Sequence, residues 1–308
     1  MPADLQAPAF TDDNAAREAI EAELWPNGPV CPRCGGVDRI GKVSGKTARP
    51  GLYNCAACKR QFTVTVGTIF ERSKVPLSKW WLTIHLLAAS KKGVSSHQLM
   101  RMLDVSYPTA WFMTHRIREA MRSGSFATPM GGEGAVVEVD ETFIGQKKNT
   151  PKRRGYARKH AVLTLVERGK GSRSFHVDGT KAEDVMPIIR ANVAKETKIM
   201  TDEAGQYAHV KTDFAEHEFV SHGAGEYVRG DAHTNTVEGF YSVFKRGMKG
   251  VYQHCSEKHL HRYVAEFDFR YSNRMKLGVD DAERAAMIVR ATAGKRLMYR
   301  RADEARPA

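Results

Sequence analysis

The spacing of apolar residues changes along the chain, and the changes predict where its segments begin and end. Apolar positions three to four residues apart predict helices near the amino terminus, from residue 76 to 125, and again after Gly230. Runs of β-branched residues instead predict strands between residues 135 and about 230. We therefore expect a helical segment (1–29), a cysteine-bearing segment (30–75), a helical region (76–125), an α/β domain (135–275) and a basic helical tail (276–308).

The order of elements expected between residues 135 and 275 suggests a fold. Three strands come first, followed by a helix, two further strands and a closing helix, which is the order of a ribonuclease-H-like α/β domain. The predicted fold class is therefore α/β, with a ribonuclease-H-like domain behind two smaller modules. The segments that carry this order are AVVEVDETFIG, HAVLTLVER, SRSFHVDG, KAEDVMPIIRANV, KIMTDEAG, HEFVSH and HTNTVEGFYSVFKRG.

The helical region contains the pattern of a helix-turn-helix. Ser95 and Gln98 have the spacing of a capping box, and a second helix is expected to begin near Ser106, with Pro108 in its first turn. Two short helices joined by a tight turn also occur as plain helical hairpins, so this alternative stays open. The apolar stripe of the second helix is expected at Ala110, Met113, Ile117, Ala120 and Met121, which leaves Thr109, His115, Arg116 and Arg118 available to contact DNA.

Composition narrows the choice of partner. The 308 residues include 48 Lys and Arg against 35 Asp and Glu, a formal charge of +13. A surplus of that size favours a polyanion such as DNA, although a merely soluble basic protein would also show it.

The acidic amino terminus does not resemble a signal peptide, and the most apolar run, Trp80–Ala89, is too short to span a bilayer. We therefore expect a cytoplasmic protein.

Four of the five cysteines predict a metal site. Cys31 and Cys34 form one C-x-x-C pair and Cys55 and Cys58 form another, 20 residues further on. That gap is long enough for a hairpin that brings both turns to one tetrahedral Zn²⁺, so residues 30–75 are predicted to form a zinc ribbon. Two unrelated thiol pairs or a redox pair are the alternatives, and Cys255 is expected to stay outside the site. The basic residues that favour a DNA contact here are Arg33, Lys42, Lys46, Arg49, Lys59 and Arg60.

Three acidic residues are candidates for metal ligands. Asp140 and Asp202 each end an apolar run that predicts a strand, and Glu238 lies on the predicted closing helix. A carboxylate in such a position would have to be buried, paired or bound to a metal. The neighbouring Glu138 and Glu141 are expected to be solvated or salt-bridged. The histidines of the strand patterns, His160 and His176, are expected to fill the core.

These residues resemble the bacterial insertion-sequence transposases of the DDE class, in the subgroup with an N-terminal zinc ribbon. The sequence segments that carry the resemblance are VEVDETFIG, IMTDEAGQY, HTNTVEGFYSVFKRG and SEKHLHRYVAEFDFRYSNR. The segment RQFTVTVGTIFERSKVPL also resembles the amino-terminal part of that subgroup. The resemblance covers roughly residues 25 to 275. It implies metal-dependent cleavage at transposon ends and strand transfer into target DNA, by a homo-oligomer bound to DNA in the bacterial nucleoid.

The resemblance also implies roles for single residues. Asp140, Asp202 and Glu238 would hold two catalytic Mg²⁺ or Mn²⁺ ions, which hard oxygen ligands suit. Lys245 follows Glu238 by two helical turns, so it lies on the same face and would contact the transposon end. Asn235 is a second candidate for the third ligand, since some members of the subgroup use asparagine there. Charge and spacing favour Glu238, which leaves Asn235 to orient a water or a phosphate.

Two other functions are compatible with the sequence. A non-catalytic DNA-binding regulator would use the ribbon and the helix-turn-helix without requiring the three acids to converge. A metal-dependent nuclease of the same fold would use the same acids without strand transfer.

Overall fold

The computed structural model describes residues 4–122, 128–147, 156, 158–295 and 297. The chain divides into two units. The first contains the described residues of 1–90, 94–123 and 280–308, and the second contains those of 91–93 and 124–279.

The secondary structure follows the order expected from the sequence. The helices are α1 (Asp13–Leu24), α2 (Leu77–Ala89), α3 (Ser96–Leu103), α4 (Tyr107–Met121), α5 (Ala182–Asn192), α6 (Val210–Asp213), α7 (Asn235–Gly247), α8 (Glu257–Ser272) and α9 (Asp281–Arg290). The strands are β1 (Ile40–Lys42), β2 (Tyr53–Cys55), β3 (Arg60–Phe62), β4 (Val136–Ile144), β5 (His160–Glu167), β6 (Ser172–Val177), β7 (Lys198–Asp202) and β8 (Glu216–Val220).

The first unit combines a small sheet with helices. Strands β1, β2 and β3 form an antiparallel sheet within the segment that carries the two cysteine pairs. The rings of Trp25, Tyr53 and Phe62 pack together beside it. Helix α9 packs mainly against α2, so this part of the predicted basic tail belongs to the first unit. The last residues of that tail, 298–308, lie outside the described residues.

The predicted start signals of α3 and α4 are confirmed. Ser95 precedes α3, and its hydroxyl accepts a hydrogen bond from the backbone N–H of Gln98 at 3.1 Å. Ser106 precedes α4 and accepts one from the N–H of Thr109 at 3.4 Å, with Pro108 in the first turn. The predicted apolar stripe of α4 is fully buried: Ala110, Met113, Ile117, Ala120 and Met121.

The predicted polar face of α4 is wrong for three of its four residues. His115, Arg116 and Arg118 are buried rather than available at the surface. The Arg116 guanidinium donates to the backbone carbonyls of Ile69 and Leu297 within the first unit. Helices α2, α3 and α9 all pack against α4, so the helix is covered on more than the one side that its periodicity indicates.

The second unit is built on a five-stranded mixed sheet with the strand order β6-β5-β4-β7-β8. Strands β4, β5 and β6 are antiparallel neighbours, whereas β7 and β8 run parallel to β4. The central strands are buried on both faces, and every residue of β5 is buried. Helix α5 packs on the face that carries Leu163 and Leu165, and helices α7 and α8 pack on the face that carries Val162 and Val166.

A buried carboxylate holds α7 against the sheet. Glu138, the third residue of β4, has no exposed surface. Its Oε2 accepts hydrogen bonds from the backbone N–H groups of Thr236 and Val237, at 2.7 and 2.9 Å, and its Oε1 accepts one from the Thr236 hydroxyl. Those N–H groups belong to the first turn of α7, where an anion is favoured by the unpaired amides and the helix dipole. Arg168 completes the site, because its Nε lies 2.6 Å from Glu138 Oε1.

We expect Glu138→Ala to release α7 from the sheet. The substitution leaves the Arg168 guanidinium and the Thr236 and Val237 amides without their partner. Removing one member of a buried ion pair costs about 3–5 kcal/mol, which corresponds to amide exchange in α7 faster by about two orders of magnitude or more. Hydrogen–deuterium exchange of peptides that cover residues 235–247 measures this.

The matched control is Glu216→Gln, which alters an exposed ion pair with Lys198 on the same sheet. Such surface pairs contribute at most about 1 kcal/mol, so this variant should exchange like the wild type. Equal protection of α7 in Glu138→Ala and wild type would show that the carboxylate does not hold the helix.

Candidate acidic site and cysteine cluster

An acidic cavity of about 420 Å³ opens in the second unit. Four carboxylates line it, those of Asp140, Glu141, Asp202 and Glu238. The three acids singled out from the sequence are thus brought to one place. The other lining residues are His222, Thr234, Tyr241, Ser242 and Lys245.

The geometry of the sheet brings Asp140 and Asp202 to the cavity. Parallel pairing between β4 and β7 ends at Glu138 and Met200. Continuing that register by two residues leads to Asp140 on one strand and Asp202 on the other. The two aspartates therefore stand where the strands stop pairing, which leaves room between them for a ligand.

Helix α7 supplies the third acid and a cation from the same face. Glu238 and Lys245 lie two turns apart, and both line the cavity, as their spacing predicts. Glu238 Oε1 accepts a hydrogen bond from the hydroxyl of Thr234 at 3.0 Å. Thr234 precedes the helix but makes no side-chain cap, and the amides of Thr236 and Val237 bind Glu138 instead.

Burial and crowding make the acidic cavity costly without a cation. Burial raises the pKa of Asp140 to about 8, and the nearby charges of Glu141, Asp202 and Glu238 add to the effect. Burial also raises the pKa of Glu141 to about 7. Like charges that share a site disfavour joint ionisation, and a cation among them reverses the balance. A divalent cation fits this set of hard oxygen donors.

Lys245 contributes an ammonium to the cavity. Its pKa is lowered by burial, an effect that the charges of Asp140 and Glu238 oppose. The ammonium lies 5.7 Å from the centre of the Tyr241 ring. A partly desolvated ammonium beside carboxylates is suited to bind a phosphate that enters the cavity.

Asn235 is not among the residues that line the cavity, although it directly follows the lining residue Thr234. It is the first residue of α7 and is exposed, one turn away from Glu238. That Glu238 rather than Asn235 would act as the third metal ligand is a prediction from charge and spacing. The position of Glu238 on the cavity wall favours it.

Reasoning from sequence missed two roles of the neighbouring acids. Glu141 lines the cavity, half-buried and within reach of the Gln206 amide, rather than being solvated or ion-paired. Glu138 is salt-bridged as expected, but it is fully buried and binds a helix N-terminus. Its position two residues before Asp140, inside the same apolar run, is a signal of burial, since alternate residues of a strand share one face.

The two cysteine pairs meet in the first unit. The Sγ atoms of Cys31, Cys34, Cys55 and Cys58 all lie within 4.8 Å of one another. Cys31 and Cys58 are 3.7 Å apart, as are Cys34 and Cys55. Four sulfurs at about 2.3 Å from a tetrahedral Zn²⁺ would be separated by about 3.8 Å, so the cluster fits one ion. Cys255 is in the second unit and takes no part.

None of the described helices is long and apolar enough to cross a membrane.

Each of the two units contains a region that is similar to a known protein family. Residues 11–61 match the transposase zinc-ribbon domain, and residues 131–272 match the ISXO2-like transposase domain. A protein in the transposable element ISH50 of Halobacterium salinarum is 31% identical over 280 residues, which is 85% of this chain and 91% of that protein. The acidic cavity lies within the range of the transposase match, and the cysteine cluster lies within that of the ribbon. The chain therefore belongs to the family of insertion-sequence transposases that combine an N-terminal zinc ribbon with an ISXO2-like transposase domain.

Proposed function

We propose that the protein is a DNA transposase that cuts the ends of its element and transfers the freed 3′-hydroxyl to target DNA. The observation that carries this proposal is the convergence of Asp140, Asp202 and Glu238 on one cavity. A non-catalytic regulator would need no such convergence, so the cavity favours catalysis over that alternative. The match of the same region to a transposase domain supports the choice of reaction.

The fold that we propose for the second unit is ribonuclease-H-like. Its support is the sheet order β6-β5-β4-β7-β8, with three antiparallel strands followed by two parallel ones. Catalytic carboxylates on β4, on β7 and on a later helix agree with that fold.

Three carboxylates would bind the catalytic metal ions. Asp140 and Asp202 come from the rigid sheet, and Glu238 comes from α7, where the Thr234 hydroxyl orients it. When bound, a pair of Mg²⁺ or Mn²⁺ ions would activate the attacking water or 3′-hydroxyl and stabilise the leaving oxygen. Lys245 binds a phosphate of the transposon end in the same cavity. Asn235, one turn from Glu238 and exposed, orients DNA or water at the rim.

The zinc ribbon has the exposed basic side chains that are best suited to contact DNA. Six basic side chains of the ribbon segment are exposed: Arg33, Lys42, Lys46, Arg49, Lys59 and Arg60. By contrast, Arg116 and Arg118 of α4 are buried. If α3 and α4 act as a helix-turn-helix, their contact with DNA uses the exposed residues near the turn, such as Arg101 and Tyr107. The ribbon would then supply most of the charge that neutralises phosphates.

We predict that Asp140→Asn, Asp202→Asn and Glu238→Gln each lower the rate of end cleavage by about three orders of magnitude. Each removes a metal-binding charge, and such charge stabilisation contributes several kcal/mol to phosphoryl transfer. Asn235→Ala should stay within about tenfold of wild type. The assay follows cleavage and strand transfer of labelled element ends in Mg²⁺, with end binding measured separately.

Glu216→Gln, an exposed acid on β8, is the control and should retain activity. If Asn235→Ala were the more damaging change, Asn235 would be the third ligand. If wild type cleaved the ends but did not join the 3′-hydroxyl to target DNA, the nuclease alternative would replace the transposase proposal.

A second prediction concerns the ribbon. The triple variant Arg33→Ala, Lys59→Ala, Arg60→Ala should bind element ends more weakly and with a shallower salt dependence. For each of these side chains that neutralises a phosphate, its removal should lower the slope of log affinity against log salt by about 0.9. Fluorescence anisotropy at a series of salt concentrations measures the slope.

The control for this experiment removes three exposed lysines of the second unit, in the variant Lys181→Ala, Lys195→Ala, Lys211→Ala. It lowers the net charge by the same amount. A ribbon variant whose salt slope matches that of the control would contradict a specific contact between the ribbon and DNA.

A further inference from the structure

Two histidines and a glutamate of the second unit meet away from the acidic cavity. His160 begins β5, His176 lies on β6, and Glu257 begins α8. The pairing of β5 with β6 brings the two imidazole rings to a centroid distance of 5.4 Å. One ligand atom from each of the three residues lies within 4.8 Å of the others. None of the three lines the acidic cavity.

We propose that His160, His176 and Glu257 form a second zinc site, separate from the cysteine cluster and from the acidic cavity. Glu257 Oε1 is 3.6 Å from His160 Nδ1 and 4.0 Å from His176 Nε2. Both distances are too long for a hydrogen bond. Two ligand atoms at about 2.1 Å from one Zn²⁺ lie about 3.4 Å apart in a tetrahedral arrangement and at most about 4.2 Å apart. The two separations to Glu257 Oε1 fall within that range.

The nitrogens that face Glu257 are buried and lack a hydrogen bond. His160 has only 5% of its side chain exposed. Within the part of the chain that the structure describes, His160 Nδ1 and His176 Nε2 have no hydrogen-bond partner. Buried polar atoms are almost always satisfied, so an unsatisfied pair aimed at one carboxylate indicates a missing ligand. A cation between them satisfies both nitrogens and the carboxylate together.

Metal binding would fix the form of both histidine rings. A neutral imidazole binds a metal through the ring nitrogen that carries no proton. His160 would therefore bind through Nδ1 with its proton on Nε2, and His176 would bind through Nε2 with its proton on Nδ1. The ammonium of the nearby Lys147 donates a hydrogen bond to the carbonyl of Asp178, at 3.3 Å.

The ligand set indicates which metal binds. Two imidazoles and one carboxylate suit Zn²⁺, whereas Mg²⁺ takes oxygen ligands. Glu257 is more than half exposed, so the fourth position faces solvent and would hold water. A metal here ties the first turn of α8 to the sheet, in addition to the hydrogen bonds between Asp268 and the β6 residues Ser172 and Ser174.

Zinc counting on the full-length protein tests the proposal. Stripped protein is reloaded with Zn²⁺ in excess Mg²⁺, which competes for the acidic cavity, and bound zinc is measured by mass spectrometry. We expect two zinc ions for each wild-type chain and one fewer in His176→Gln and in Glu257→Gln. Matched controls at exposed positions of the same unit, His209→Gln and Glu183→Gln, should retain both ions.

Zinc X-ray absorption on the same samples identifies the ligands. Wild type should show sulfur neighbours at about 2.3 Å and nitrogen or oxygen neighbours at about 2.0 Å, and both site variants should lose the shorter shell. Because Glu257 is exposed at a helix start, Glu257→Gln reports on the site even if His176→Gln folds poorly. A wild type that binds no more zinc than the two site variants, or variants that retain the shorter shell, would overturn the proposal.

Discussion

The acidic cavity depends on one buried interaction, the capture of the α7 N-terminus by Glu138. The carboxylate lies on β4 two residues before Asp140, and the helix that it holds carries Glu238 and Lys245. Because Thr234 makes no side-chain cap, the first amides of α7 need an acceptor from elsewhere, and Glu138 on the sheet supplies it. The same strand therefore provides a proposed metal ligand and fixes the helix that provides another.

The proposed catalytic chemistry follows from placing Asp140 and Glu141 where burial penalises their charged forms. With its pKa raised to about 8 by burial and by neighbouring carboxylates, Asp140 is largely protonated at neutral pH in the absence of a cation. A divalent ion would remove that cost, so the same arrangement that destabilises the empty cavity provides its affinity for metal. Rigid support from β4 and from the anchored α7 would keep the carboxylates in place when the ion leaves.

Local sequence patterns predicted much of the secondary structure and the cysteine cluster. The features that they did not predict arise from contacts between segments that are distant in the sequence. Apolar periodicity, capping residues and cysteine spacing were sufficient to predict the order of elements along the chain, the helix starts at Ser95 and Ser106, and the meeting of the cysteine pairs. Periodicity identifies one apolar face of a helix, so it could not predict that Arg116 is covered from a second side. Nor could it predict the bond between Glu138 and Thr236, because those residues are 98 positions apart and join a strand to a helix.

The proposed function requires that Asp140, Asp202 and Glu238 bind the same divalent metal centre. Anomalous diffraction from crystals of the protein bound to element-end DNA and soaked in Mn²⁺ tests this requirement most directly. We predict anomalous peaks in the acidic cavity within about 2.5 Å of oxygens from all three carboxylates. Peaks elsewhere, or peaks in the cavity that contact Asn235 in place of Glu238, would contradict it.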